Sequence, residues 1–104
     1  MPATRRPSSL ALNPVLHQQV RMAIVSVLAG RGAATFNELR ELLDLSDGNL
    51  ATHMRSLERA GYVEVEKRFV DRRPLTTYAL TPAGRAALEA YLAALERVIR
   101  EAKR

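Results

Sequence analysis

The chain has 104 residues, of which 47% are hydrophobic and 26% are charged, and this balance fits one globular domain with a single core. The absence of cysteine excludes disulfides, thiolate metal sites and cysteine nucleophiles. No apolar stretch is long enough to cross a bilayer, so we expect a cytoplasmic protein without a membrane segment.

The excess of positive charge indicates a polyanionic partner. Sixteen Lys and Arg residues oppose eleven Asp and Glu residues, which gives a formal net charge of +5 and a pI near 10.4. Arginine can form paired hydrogen bonds with phosphates and guanine edges, and phosphates that are neutralised release counterions. Because a charge excess also serves solubility, the positions of the cations decide how far this interpretation holds.

The chain divides into an N-terminal arm and one domain. Residues 1–12 combine prolines, serines and two arginines without apolar periodicity, and we expect them to form a flexible basic arm. Residues 13–104 are expected to form a single domain. Within it, apolar residues at helical spacing predict a first helix from Pro14 to Ala29, which Gly30 and Gly32 end.

Two further helices follow at close spacing. Thr35 to Glu38 fits a capping box, which predicts a second helix that buries Phe36, Leu39 and Leu43. Ser46 is a good N-cap for a third helix that ends at Gly61, with an inward stripe of Leu50, Met54 and Leu57. The very short link between these helices predicts a steep crossing angle, as in helix-turn-helix units.

After the third helix, the spacing between apolar residues changes from that of a helix to every second residue. Val63, Val65 and Phe69 alternate with charged residues and predict a strand from Tyr62 onwards. A second strand is predicted over Leu75 to Leu80, with a turn over residues 70–74, so the pair indicates a hairpin with a basic tip. Thr81 and Pro82 then begin a long helix over residues 82–104.

The long final helix carries more apolar surface than one core requires. Its apolar sector spans roughly 160°, against about 100° for a helix with one buried face. The helix could pack entirely on its own core, or part of it could pair with a second copy in a two-fold dimer, which the width favours. The predicted dimer interface consists of Leu88, Tyr91, Leu92, Leu95, Val98 and Ile99.

Three sequence elements in this order carry a family resemblance. The segment from Ser46 to Val63 resembles the recognition helix and following strand of MarR-like and ArsR-like regulators. Leu80 to Arg85 is similar to the element that closes their wing, and Arg72 to Tyr78 is similar to the wing of a short, single-domain branch. The resemblance implies an α+β, mostly helical, winged helix-turn-helix with three helices, a two-stranded wing and a long C-terminal dimerisation helix.

The candidate DNA-binding residues lie on the third helix and the wing. Short polar groups and arginines opposite the buried stripe can approach base edges or phosphates, and cations at a hairpin tip can reach the backbone or the minor groove. The alternative for both surfaces is a solvated face, and His53 could instead pack at the junction of helix and wing. The candidates are Ser46, Asn49, Thr52, His53, Arg55, Ser56 and Arg59 on the helix, and Lys67, Arg68, Arg72 and Arg73 on the wing.

The sequence therefore predicts a homodimer that binds specific double-stranded DNA and regulates transcription. The alternatives are a protein-interaction module and a nonspecific, chromatin-like DNA binder. We expect no enzymatic activity, because no spacing indicates an activated nucleophile or an acid–base pair. No cofactor or metal site is expected from His17 and His53 alone. The resemblance to MarR-like regulators implies a ligand pocket that further N-terminal helices help to form, and because little precedes the first helix here, a small-molecule effector pocket is doubtful.

Overall fold

The computed structural model describes residues 12–104, so the predicted basic arm lies outside the described residues except for Leu12. Four helices and three strands follow one another in the order α1 (Gln19–Arg31), β1 (Ala34–Thr35), α2 (Phe36–Leu43), α3 (Asp47–Arg59), β2 (Val63–Val70), β3 (Arg73–Leu80) and α4 (Pro82–Ala102). This arrangement confirms the predicted α+β winged helix-turn-helix with a long C-terminal helix. No helix in residues 12–104 is both long and apolar enough to cross a membrane.

The first helix begins later than predicted. Residues 14–18 form turns, and α1 starts only at Gln19, so the prediction of a helix from Pro14 is wrong. The Asn13 carboxamide oxygen accepts a hydrogen bond from the Val15 amide at 2.9 Å, and the Gln18 side chain caps α1 by accepting from the Arg21 amide at 2.8 Å. Such local side-chain bonds compete with helix formation. Leu16 is nevertheless fully buried, so the turn segment belongs to the core.

A short third strand was not predicted. The antiparallel sheet has the order β1-β3-β2, with Ala34 paired to Tyr78 and Thr35 paired to Thr77. Two residues are too few to produce a recognisable alternation, which explains why sequence periodicity missed β1. The wing hairpin is thus joined to the domain through a third strand that lies directly before α2.

Both predicted N-caps of the helix-turn-helix are present. The Thr35 hydroxyl accepts from the Glu38 amide at 3.1 Å, and the Glu38 carboxylate accepts from the Thr35 amide at 2.8 Å. This last bond is the largest of the interactions that lower the pKa of Glu38. At the start of α3, the Ser46 hydroxyl accepts from the Asn49 amide at 3.1 Å. Asp44, in the left-handed conformation, ends α2 and turns the chain towards α3.

The hairpin turn is tighter than predicted. The strands continue to Val70 and resume at Arg73, so the turn consists only of Asp71 and Arg72, and the predicted loop over residues 70–74 is wrong at both edges. Both turn residues have positive φ, 52° and 66°, which is typical of a type I′ turn. The two strands therefore stay paired almost to the tip.

The long helix α4 is fixed at its start by a close backbone approach. The Thr81 amide donates to the Tyr62 carbonyl at 3.0 Å, and the Thr81 hydroxyl donates to the Gly61 carbonyl at 2.6 Å. Gly84 lies in the next turn, where a β-carbon would overlap the Tyr62 backbone carbonyl. Glycine is therefore required where α4 crosses the first residues of the wing.

Candidate nucleic-acid interface

The position of α3 is determined by its buried side. Leu50 and Leu57 are fully buried, and Met54 is 1% exposed. An ion pair also joins α2 to α3, because Arg40 Nη1 lies 2.9 Å from Asp47 Oδ1, and the hydrogen bond with Asp47 raises the pKa of Arg40. Core packing, the Ser46 cap and this ion pair together hold the helix, so the side chains on its outer face have a defined direction.

The outer face of α3 is polar and accessible. Ser46, Asn49, Thr52, Arg55 and Arg59 are exposed, whereas Ser56 is half-buried. The Thr52 hydroxyl donates to the Gly48 carbonyl at 2.9 Å, and the Ser56 hydroxyl donates to the Thr52 carbonyl at 3.3 Å. With their hydrogens bound to the helix backbone, both hydroxyl oxygens keep acceptor capacity for a donor on another molecule.

His53 lies at the edge of this face and contacts α1. Its Nδ1 lies 3.2 Å from Nη1 of Arg21, whose Nε donates to the Val15 carbonyl at 2.6 Å. Burial lowers the pKa of His53, and the positive charge of Arg21 lowers it further. The structure thus gives His53 a polar partner on α1. Sequence reasoning missed Arg21, because 32 residues separate the two and no local pattern connects them.

A groove of about 490 Å³ separates α3 from the inner face of the wing. Arg55 and Lys67 line it from the two sides, and Glu58 adds one negative charge. Tyr78 lies at its base, where burial and, to a lesser degree, the charge of Glu58 raise the pKa of the phenol. The groove therefore places one cation of the helix and one cation of the wing on the same side of the molecule.

The four predicted wing cations have different surroundings. All four are exposed, but Arg68 donates to the Glu66 carboxylate at 2.7 Å and is partly neutralised there. Arg72 is the second residue of the turn and Arg73 the first of β3. Arg72 and Arg73 therefore form the cationic tip of the wing, while Lys67 lies nearer to α3.

The two faces of the wing differ in charge. Cross-strand register places Val63, Val65, Lys67 and Phe69 on the face that includes the core residue Tyr78, and Glu64, Glu66 and Arg68 on the opposite face. The face towards α3 therefore carries the cation Lys67 and an aromatic ring, whereas the outer face carries two carboxylates and two cations, Arg68 and Arg73. The charges of the outer face balance one another, so an excess of positive charge remains on the inner face.

The predicted dimer residues fall into two groups. Leu88 and Tyr91 are 7% exposed and pack against their own domain, and the Tyr91 hydroxyl lies 3.0 Å from Nδ1 of His17. Leu92 and Ile99 are 48% and 45% exposed, and Leu95 and Val98 are half-buried. On the helical wheel, the half-buried Leu95 and the exposed Leu92 and Ile99 form one apolar seam, spaced three and four residues apart.

The part of the chain that the structure describes contains no group of three His, Asp or Glu side chains able to hold a metal ion. An open pocket of about 510 Å³ lies between the turn segment and α4, next to Tyr62 and Tyr91. Its lining combines the edges of these two phenols with small apolar side chains and the carboxamide of Asn13.

The fold and the polar outer face of α3 define a helix-turn-helix protein, and residues 20–99 match the winged helix DNA-binding domain family. The chain belongs to this family. The resemblance to winged-helix transcriptional regulators that the sequence predicted is thereby confirmed.

Several relatives share most of this domain. An uncharacterised protein of Methanocaldococcus jannaschii is 37% identical over 78 residues, which cover 75% of this chain and 85% of that protein. The structure of a transcriptional regulator homologue from Pyrococcus horikoshii superposes with a TM-score of 0.79 at 37% identity, covering 84% of this chain and 86% of that one. A transcriptional regulator of Mycobacterium tuberculosis is 44% identical over 57 residues, which cover 55% of this chain and 53% of that protein.

Proposed function

We propose that this protein is a transcriptional regulator that binds specific sequences in double-stranded DNA as a homodimer formed by residues 13–104. The observation that carries the proposal is the pairing of a rigidly held polar helix face with a cationic hairpin on the same side of the domain. In this proposal α3 enters the major groove, where Asn49 can bind adenine and Arg55 or Arg59 can bind guanine or phosphate.

The conformation of Arg72 supports a role for the wing tip. A type I′ turn has φ > 0 at both central positions and strongly favours glycine at the second, where Arg72 has φ of 66°. A non-glycine residue in this region carries a conformational penalty of about 1 kcal/mol. A long cation at a position that suits glycine therefore indicates that Arg72 makes a contact outside the domain. A phosphate of the DNA backbone beside the half-site is the matching partner.

The apolar seam of Leu92, Leu95 and Ile99 supports dimerisation. Helix α4 has 21 residues and is about 31 Å long at 1.5 Å per residue, and Leu92 and Ile99 in its C-terminal half are exposed. Apolar residues at this spacing suit close packing against the same helix of a second copy. The two α3 helices would then enter successive major-groove segments about one helical turn apart, roughly 10 base pairs.

The dimer is tested by Leu95→Glu, with Ala93→Glu as the matched control on an exposed position of α4. A carboxylate in a dry interface without a partner destabilises association by several kcal/mol, about 3 or more. Analytical ultracentrifugation at micromolar concentration is expected to show a wild-type dimer, a dimeric A93E variant and a dissociated L95E variant. If the wild-type protein sediments as a monomer, the proposed dimer is wrong and the seam has another role.

Specific DNA binding is tested by selecting bound sequences from a random duplex pool, followed by footprinting. The expected result is an enriched inverted repeat, with half-site centres about 10 base pairs or a small multiple apart. Binding without enrichment would favour the nonspecific binder, and no binding at low salt would favour the protein-interaction module. A footprint over a single half-site with one bound chain would contradict the symmetric arrangement.

A further inference from the structure

Phe69 is the most exposed large hydrophobic side chain among the described residues, at 76%. It continues the inner face of β2 beyond the core, in register with Pro74 on β3. In that face Val63 is buried and Val65 half-buried, whereas Lys67 and Phe69 are exposed. The first residues of α2 reach only as far as Pro74 and Leu75 on β3, where they line a shared pocket. The hairpin therefore presents an aromatic ring to the outside at its free end.

The surroundings of Phe69 match a nucleic acid better than a protein surface. Lys67 precedes it on the same face, and the turn beyond it consists of Asp71 and the cation Arg72. Arg73, which is paired with Val70, and the carboxylates Glu64 and Glu66 lie on the opposite face. A phenylalanine contributes about 200 Å² of contact area, well below the roughly 800 Å² per partner of a stable protein interface. A single aromatic ring with cations nearby is instead suited to a nucleic acid, which exposes the apolar surfaces of sugars and bases between its phosphates.

The distance along the wing from the groove beside α3 to Phe69 also fits the separation between neighbouring DNA grooves. Phe69 lies four residues after Val65, which corresponds to about 13 Å along the strand at 3.3 Å per residue. Val65 lies beside α3 in the groove, and a minor groove lies about half a helical turn, roughly 17 Å, from the adjoining major groove. With α3 in the major groove, the tip of the wing reaches the region of the next minor groove.

We propose that Phe69 is an apolar wedge that enters the minor groove beside each half-site and partly unstacks one base step. This inference rests on the proposed function, since it requires α3 to occupy the neighbouring major groove. Arg72 and Arg73 hold the flanking phosphates while the ring contacts sugars and base edges, and the duplex bends towards the major groove. Flexible pyrimidine–purine steps are the preferred sites because they unstack most easily.

The test uses a duplex that the wild-type protein recovers from a random pool. The fluorescent base 2-aminopurine is placed at successive positions beyond the half-site to report unstacking, and a dye at each end of the duplex reports bending. Wild-type protein is expected to raise 2-aminopurine fluorescence at one step per half-site and to shorten the dye-to-dye distance. Phe69→Ala is expected to abolish both signals and to weaken binding about tenfold, because the bend then lacks its wedge. Phe69→Leu, which keeps an apolar wedge, is expected to retain most of both signals.

Val70→Ala is the matched control, since Val70 neighbours Phe69 but lies on the opposite face of the wing. It is expected to bind and bend the duplex like the wild type. If F69A binds and bends DNA normally while Arg72→Gly still weakens binding, the wedge is wrong and the proposed function stands. If F69A changes the oligomeric state in ultracentrifugation, Phe69 is a protein contact and the wedge is again wrong. If the wild type recovers no duplex, the proposed function and the wedge fail together.

Discussion

Helix α3 and the wing are held in place by different means. Helix α3 has three almost completely buried side chains and an ion pair to α2, whereas every side chain from Glu66 to Pro74 is exposed. The helix is positioned by tertiary packing, and the outer wing by strand pairing and a two-residue turn. Base recognition requires side chains held in a fixed direction, while phosphate contacts tolerate movement, so the helix suits reading and the wing suits positioning.

The strongest test of this contrast lies where the base of the wing meets α4. Gly84→Ala forces a β-carbon into the Tyr62 carbonyl, and because backbone cannot move away as a flexible side chain can, we expect a loss of about 3 kcal/mol or more in the free energy of unfolding. Gly48→Ala on the outer face of α3 is the control, since open space surrounds its position, and it should stabilise by about 0.5–1 kcal/mol. Urea denaturation measures both. Equal stabilities would show that the base of the wing is not rigidly fixed.

The second test concerns base reading by α3. Thr52→Ala or Asn49→Ala is expected to reduce discrimination at one base position per half-site by about 1–3 kcal/mol. The dependence of log affinity on log salt concentration should hardly change, because neither side chain is charged. Titrations on the selected operator and on a scrambled duplex measure both quantities. Equal losses of affinity on the two duplexes would show that α3 does not recognise bases.

The third test concerns positioning by the wing. Arg72→Gly keeps the turn, since glycine suits its positive φ, and removes one cation per chain. Affinity should fall equally on specific and scrambled DNA, and the salt slope should decrease by about 1 per contact, or about 2 across a dimer. Arg97→Ala removes the same charge from an exposed position on α4 and should leave the slope close to that of the wild type. A selective loss of specific binding in R72G would mean that the wing also reads sequence.

The smallest expected effect is a pH dependence of stability that arises from His53 on α3 and not from the arginines of the wing. Burial and Arg21 lower the pKa of His53 in the folded protein below its ordinary value of 6.5. The unfolded chain then binds the proton more readily, so the contribution of His53 to stability is present above pH 6.5 and is lost as the pH falls through the folded-state pKa. NMR titration of the imidazole should show this lowered pKa, and His53→Gln should reduce the loss of stability on acidification. A bound phosphate near His53 should raise the pKa, whereas the wing arginines do not titrate in this range.

Local chemistry in the sequence was sufficient to predict most of the fold. The capping box at Thr35, the Ser46 cap and the apolar stripe of α3 act within a few residues, so both helices were predicted where they occur. Of the three residues predicted to be buried in α2, however, only Leu39 is fully buried, whereas Phe36 and Leu43 are half-buried. The alternation after Tyr62 and the Thr81–Pro82 start likewise predicted the hairpin and α4. Similar local reasoning identified the polar outer face of α3 and the cations of the wing tip.

The remaining features depend on contacts between distant parts of the chain. The tertiary structure decided that Arg21 meets His53, that β1 pairs with β3, and that Gly84 lies against Tyr62. It also decided that Tyr91 packs inward while Leu92 stays exposed, although both are apolar residues of one helix. Phe69 continues the apolar alternation of β2, yet the core ends before it. Periodicity predicts which residues share a face, but only the packing of other elements determines whether that face is covered.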